Sequence, residues 1–260
     1  MGIGESVKKG FSVAGQSMDL VWALFGFGAV WNLINVFLAP PAAGATEAAP
    51  AVGASAAMIA AGIAFIFFSF FIQAGSLGYV SQKMKTGTAG LPVFFATGGK
   101  YYVRILLLGL LVAVIVGAFI LAAGLLIALL AGAIQILGII LGAIVAATGI
   151  YFVILMFLAP YFIVSSDGKV IASVKNSIGL VRRHLLTVLG IAILLILIGF
   201  GLGILLGVVF ALLNLGVRGT AAQLVFAVLS SFINAFMGVL VTGSFMNFYL
   251  KVSGNTGGAE

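Results

Sequence analysis

The sequence predicts an all-α, polytopic membrane protein with six transmembrane helices and three short amphipathic helices at the membrane interface. Three observations predict it. Hydrophobic residues make up 63% of the 260-residue chain and charged residues 7%, where a water-soluble domain carries about 25% charged. The few charges are clustered, leaving long runs with none. The cationic clusters also fall between alternate runs, as membrane topology requires. With 12 Lys+Arg, 5 Asp+Glu and one His, there is too little polar surface to solvate a globule. Disorder requires the opposite composition. The absence of cysteine excludes disulfides, thiolate metal sites and cysteine nucleophiles.

The uncharged runs place the spans, because a helix needs about 20 apolar residues to cross about 30 Å of hydrocarbon. The first run covers 20–46, its apolar part ending at Pro40-Pro41. The second covers 48–82, with a helix predicted over 56–80. No formal charge occurs in 105–166, which is too long for one span and suits two joined by a turn near 131–135. The last two spans come from 185–217 and 219–250. A β-barrel is excluded, since these runs lack apolar/polar alternation and exceed the length of a barrel strand.

Charge then orients the bundle. Lys8 and Lys9 precede the first span. Lys83, Lys85, Lys100 and Arg104 lie between the second and third, and Lys169, Lys175, Arg182 and Arg183 between the fourth and fifth. Lys251 follows the sixth, so eleven of the twelve cations share one side. Only Arg218, alongside Glu47, faces the other. The positive-inside rule makes the basic side, with both termini, cytoplasmic. The expected location is the cytoplasmic (inner) membrane of a prokaryote. The net charge of +7 is accounted for by this bias, and the same residues can hold anionic lipid headgroups. No nucleic-acid module accompanies it, so nucleic acid is not an expected partner. The basic start, apolar first span and small residues at 42–45 imitate a signal peptide, but its apolar core exceeds about 7–15 residues. Met1-Gly2-Ile3-Gly4-Glu5-Ser6 fits a myristoylation pattern too short to carry weight.

An amphipathic segment precedes three of the spans. In the first, Ile3, Val7, Phe11 and Ala14 form a stripe, with Glu5, Lys8, Lys9 and Ser12 off it. In the second, Leu91, Phe94, Phe95, Tyr101 and Tyr102 mix with Lys100 and Arg104, and Pro92 suits a first helical turn. In the third, Ile171, Val174, Ile178 and Val181 line one face, with Lys169, Lys175, Arg182 and Arg183 around the rest. Such helices lie in the interface plane with the apolar side down. One integral membrane domain, 1–260, thus divides into units of about 1–82, 83–166 and 167–251, each an elbow plus a helical hairpin, before a tail at 252–260. A threefold repeat accounts for this; so do three independent interfacial loops shaped alike by the membrane.

Glycine and alanine recur every fourth residue as packing stripes: Gly199, Gly203, Gly207 and Ala211 on the fifth span, Gly138, Gly142 and Ala146 on the fourth, and Gly109, Ala113 and Gly117 on the third. Small residues at this spacing let helices approach closely, within one chain or between copies. The Gly199-Gly201-Gly203-Gly207 series is no nucleotide loop, because it sits within a span with no strand before it.

Residues 158–164, Leu-Ala-Pro-Tyr-Phe-Ile-Val, lead through Asp167 into Gly168-Lys169-Val170-Ile171-Ala172-Ser173-Val174-Lys175-Asn176-Ser177. This junction resembles that of prokaryotic six-helix proteins related to the membrane domain fused to some glycerophosphodiester phosphodiesterases. There a span ends in a similar Pro-Tyr phrase, followed by an acidic turn and a helix with an Ala-x-x-x-Ser core. The stretches 75–79 and 98–102, and Tyr249, are similar to other parts of that family. The resemblance implies a six-helix bundle with interfacial elbows. It implies no chemistry, because the phosphodiesterase activity belongs to the fused soluble domain.

Catalysis needs converging polar groups, and the acids Glu5, Asp19, Glu47, Asp167 and Glu260 are scattered over termini, loops and a span edge. His184, the sole histidine, follows Arg182-Arg183 at the interface and has no metal-ligand companions. Asp19, at a span entrance, is expected to pair with nearby cations or face headgroups. Ion-coupled transporters carry ionisable residues within their spans, and these spans carry amides instead: Asn32, Asn35, Gln73, Gln135, Asn214, Asn234 and Asn247. Interhelical hydrogen bonding is their ordinary role; the alternative is a polar lining for a hydrophobic or lipid substrate, with Asn32, Asn35, Gln73, Gln135 and Asn234 as the lining. The expectation is a non-enzymatic protein without cofactor or metal. It organises lipid or serves as a subunit of a membrane complex, with anionic headgroups and a protein partner or second copy as its partners. A permease-like transporter unit is the rival.

Overall fold

The computed structural model describes residues 2–38, 52–130, 135–216 and 220–256. The described residues form nine helices: α1 (Ile3–Gln16), α2 (Met18–Leu38), α3 (Val52–Thr86), α4 (Leu91–Leu130), α5 (Gln135–Met156), α6 (Ala159–Ser165), α7 (Val170–Arg183), α8 (Leu185–Gly216) and α9 (Thr220–Thr256). Six segments are long and apolar enough to cross a membrane: α2, α3, α4, α5 with α6, α8 and α9. The expected turn near 131–135 lies largely outside the described residues. Glu47, Arg218 and Glu260 also lie outside them, as do the side chains of Gln135 and Asn214.

Several spans overshoot the bilayer. At 1.5 Å per residue, the 35, 40 and 37 residues of α3, α4 and α9 measure roughly 52, 60 and 55 Å, against about 30 Å of hydrocarbon. Two of the three expected elbows are separate helices. α1 and α7 are each 14 residues long, and each passes to the next span through one residue of similar non-helical geometry. That residue is Ser17 (φ −123°, ψ 45°) in the first and His184 (φ −126°, ψ 27°) in the second. The expected second elbow is not a separate helix. Its residues are the first turns of α4, which continues unbroken through Ile105. The local sequence Val103-Arg104-Ile105-Leu106-Leu107 holds neither glycine nor proline to break it.

The chain divides into two compact units, 1–99 with 187–260, and 100–186. In the first unit, α1 and α2 both pack along α9. The buried face of α1 is Ser6, Val7, Gly10, Val13 and Ala14, whereas Ile3 and Phe11 of the expected stripe are at its edges, partly exposed, Ile3 against Gly190 of α8 and Phe11 beside the Phe236 ring of α9. Close approach explains the difference. A Cβ on Gly10 would stand 2.7 Å from the Leu240 carbonyl oxygen and collide with the Ser244 hydroxyl, and Gly243 lies against Gly10 from the other side. α3 receives the start of α4 in the same manner, with Gly75 beneath Phe94 and Gly78 beneath Thr97.

In the second unit, α7 is seated on α5 and α6 through Ser173, Ser177, Leu180 and Val181. The seat includes a break in the helix. Pro160, in the first turn of α6, has no N–H to donate and its ring crowds the carbonyl four residues earlier. Ser177 repairs the gap: its hydroxyl donates to the Leu155 carbonyl at 2.7 Å and accepts from the Leu158 N–H at 3.1 Å. α4 and α5 form a close hairpin, Gly138 and Gly142 lying against Leu130 and Ile127 and Gly149 against Phe119.

Candidate functional site

Each described acid, Glu5, Asp19 and Asp167, has a hydrogen-bond partner. Asp167 lies between α6 and α7 in the left-handed region (φ 53°), which a short polar side chain tolerates. Its carboxylate accepts from Arg104 at 2.5 Å and from Lys100 at 3.2 Å, and Arg104 also donates to its carbonyl at 3.1 Å. Both cations lie over the Tyr101 ring. The Arg104 and Lys100 hydrogen bonds hold the Asp167 carboxyl below its ordinary range. Glu5 of α1 accepts from Lys251 of α9, and that bond likewise lowers the Glu5 carboxyl. Asp19, expected to pair with nearby cations or face headgroups, accepts from the Tyr79 hydroxyl at 2.6 Å. The buried Tyr79 lies one turn beyond Gly75-Ser76 on α3 and is carried to α2 by the α2–α3 contact.

The expected headgroup residues fall in two places. Lys8 and Lys9 are exposed on α1, beside Glu5 and Lys251. Lys175, Arg182 and Arg183 are exposed on α7, in the unit that contains Lys100 and Arg104. Between α1 and α9 lies a cavity of about 440 Å³ lined by Glu5, Lys8, Lys9, Ser12, Asn247 and Lys251. Asn247 is 9% exposed and its side-chain nitrogen has no hydrogen-bond partner among the described residues. The i, i+4 spacing of Asn247 and Lys251, which puts both on one helical face, is the sequence signal for this cavity.

The amides serve separate purposes. Asn32 donates to Ser231 at 2.7 Å, and Ser231 donates on to the Ala227 carbonyl at 2.6 Å, a polar link between α2 and α9. Asn35 donates within its own helix to the Trp31 carbonyl at 2.9 Å. Gln73 and Asn234 are exposed on their helices. The glycine stripes also part company. Gly138 and Gly142 meet α4, Gly199 is in ordinary contact with Met237, and a Cβ on Gly201, Gly203 or Gly207 would meet nothing within 4 Å among the described residues. Among these residues no three His, Asp or Glu side chains are grouped to hold a metal. His184 closes α7, its backbone N–H bonded to Leu180 and Val181 carbonyls.

Six long apolar helical segments among the described residues define a multi-pass membrane protein. Its family is shown by a model that matches residues 1–252: the chain belongs to the family described as a domain of unknown function, DUF7847. No curated protein and no solved structure is significantly similar to it.

Proposed function

We propose that this is a non-enzymatic membrane protein whose cationic helical elbows gather anionic lipid headgroups on the cytoplasmic face. The observation that carries the reading is the seating of the elbows. α1 rests on the end of α9, the first turns of α4 on the end of α3, and α7 on α5 and α6, with exposed cations beside each seat. Rigid seats preorganise the lysines and arginines, which lowers the cost of ordering them on a headgroup. Two of the three described acids position cations, Glu5 holding Lys251 and Asp167 holding Arg104 and Lys100, while Asp19 accepts from Tyr79. The paired geometry of Ser17 and His184 and the equal lengths of α1 and α7 support a likeness between the first and third of the expected elbow-plus-hairpin units, while the second, whose elbow is continuous with α4, departs from it. They also fit a relation to the six-helix proteins akin to the phosphodiesterase membrane domain. The membrane is the cytoplasmic membrane of a prokaryote, with both chain ends on its inner side, where eleven of the twelve cations belong.

Native mass spectrometry from mild detergent tests this reading. Anionic phosphatidylglycerol should be retained over phosphatidylcholine by the full chain. Release as a lone, lipid-free chain overturns the proposal. A second reading, association with another copy or a partner chain, is favoured by the glycine edge of α8, where Gly201, Gly203 and Gly207 leave room for a helix backbone.

A further inference from the structure

We infer that the cavity between α1 and α9 is a binding site for a phosphate ester, the chemistry shared by a phospholipid headgroup and a soluble glycerophosphate. The inference rests on the lipid-gathering reading and names the place and chemistry of one headgroup site.

The polar tips of the lining suit an oxyanion, and the aliphatic stems of its lysines form the rest of the wall. Lys8, Lys9 and Lys251 supply three ammonium groups, Ser12 a hydroxyl and Asn247 an amide, against one carboxylate from Glu5. The net charge of the lining is therefore positive. Asn247 is the decisive residue. It is nine-tenths buried with its nitrogen unpartnered among the described residues, and a buried donor left without an acceptor is costly unless a ligand or water meets it. Neither Lys8 nor Lys9 forms an ion pair among the described residues, while Lys251 is held by Glu5. Glu5 thereby fixes one cation at the rim and leaves two for a ligand.

Size and position agree with the chemistry. At about 440 Å³ the cavity falls within the range of small-molecule sites, roughly 300–1,000 Å³, with room for a glycerol beside its phosphate. Its walls are α1 and the last turns of α9, the end that carries Lys251. α9 exceeds the hydrocarbon thickness by roughly 25 Å, which places this end at headgroup level. Tight seating of α1 at Gly10 against Leu240 and Ser244 keeps the two walls in register.

The experiment measures protection of lysines from acetylation in the full chain in neutral detergent micelles, read by mass spectrometry. The probes are phosphatidylglycerol, phosphatidylcholine, glycerol 1-phosphate and inorganic phosphate. Lys8 and Lys9 should be labelled at least fivefold more slowly with phosphatidylglycerol than with phosphatidylcholine, and N247L should abolish the difference. Protection by phosphatidylglycerol alone assigns a lipid headgroup; equal protection by glycerol 1-phosphate assigns a soluble ester. Both outcomes support the site. Unchanged labelling of Lys8 and Lys9, with Lys175 still protected by phosphatidylglycerol, overturns the site and leaves the lipid-gathering reading standing. Loss of protection at all three lysines overturns both. Protection that survives in N247L overturns the site as well, since surface attraction to the lysines alone then suffices.

Discussion

Ser177→Ala removes one oxygen atom that stands between two backbone groups of a broken helix. In the native chain this hydroxyl accepts from the Leu158 N–H and donates to the Leu155 carbonyl, and Leu155, Leu158 and Ser177 are all fully buried. Alanine fits the space but satisfies neither group. A buried backbone donor or acceptor left unmade costs about 1–3 kcal/mol. The two together should cost about 2–4 kcal/mol after partial relaxation, as the carbonyl is the more tolerant of the pair. The assay is reversible unfolding in mixed micelles, with Ser230→Ala as the comparison. Ser230 donates only to the Ala227 carbonyl of its own helix, a bond whose loss should cost less than about 0.5 kcal/mol. Equal stability of the two variants would refute the claim that Ser177 holds the α5–α6 break together.

Gly10→Ala should lower stability by about 1–3 kcal/mol, because the new Cβ meets the Leu240 backbone oxygen at 2.7 Å. Gly179→Ala, in open space in the middle of α7, should raise it by about 0.5–1 kcal/mol; the same unfolding assay reads both. Asp167 contributes stability that is present above its ordinary pKa of 3.8 and lost as pH falls through its depressed native value. Acid unfolding below about pH 4 should therefore flatten in Asp167→Asn, with no difference in slope between pH 5 and 7. Reporter tags at the two chain ends should both appear on the cytoplasmic face, and opposite faces would remove the topology from which the lipid reading starts.

The spans were legible in sequence because hydrocarbon leaves no choice: a run such as 105–166 without a charge must cross and return. What sequence could not give is which side of an apolar helix faces protein. Lipid tails are as apolar as leucine, so the stripe of Ile3, Val7, Phe11 and Ala14 carries no mark separating its buried pair, Val7 and Ala14, from its partly exposed pair, Ile3 and Phe11. The inner face of α1 is instead set by Ser6 and Gly10, small residues that hydropathy scores as neutral. For the same reason Gly142 and Gly203 look alike in sequence, although one touches Ile127 and the other meets nothing within 4 Å among the described residues. The continuity of α4 was hidden differently: charge at Lys100 and Arg104 reads as an interfacial stop, yet both cations are used sideways against Asp167 and the helix passes through.

Helix length connects the seats to the chemistry. A span that ended at the hydrocarbon boundary would have no overhang to carry an elbow, and its terminal carbonyls would lie at the headgroups without cover. α9 overshoots, and α1 lies along the overhang through Gly10, Gly243 and Ser244. That contact brings Lys8 and Lys9 beside Asn247 and Lys251, residues some 240 positions apart in the chain. In the second unit α7 lies on α5 and α6, and the tie from Asp167 to Arg104 and Lys100 fixes the turn from which it departs. In the first unit Glu5 holds one cation, Lys251, and in the second Asp167 holds two, Lys100 and Arg104, while Lys8 and Lys9 on α1 and Lys175, Arg182 and Arg183 on α7 stay exposed. The close-fitted glycines and the Ser177 bridge are better explained if the position of those charges, and not merely their side of the membrane, matters.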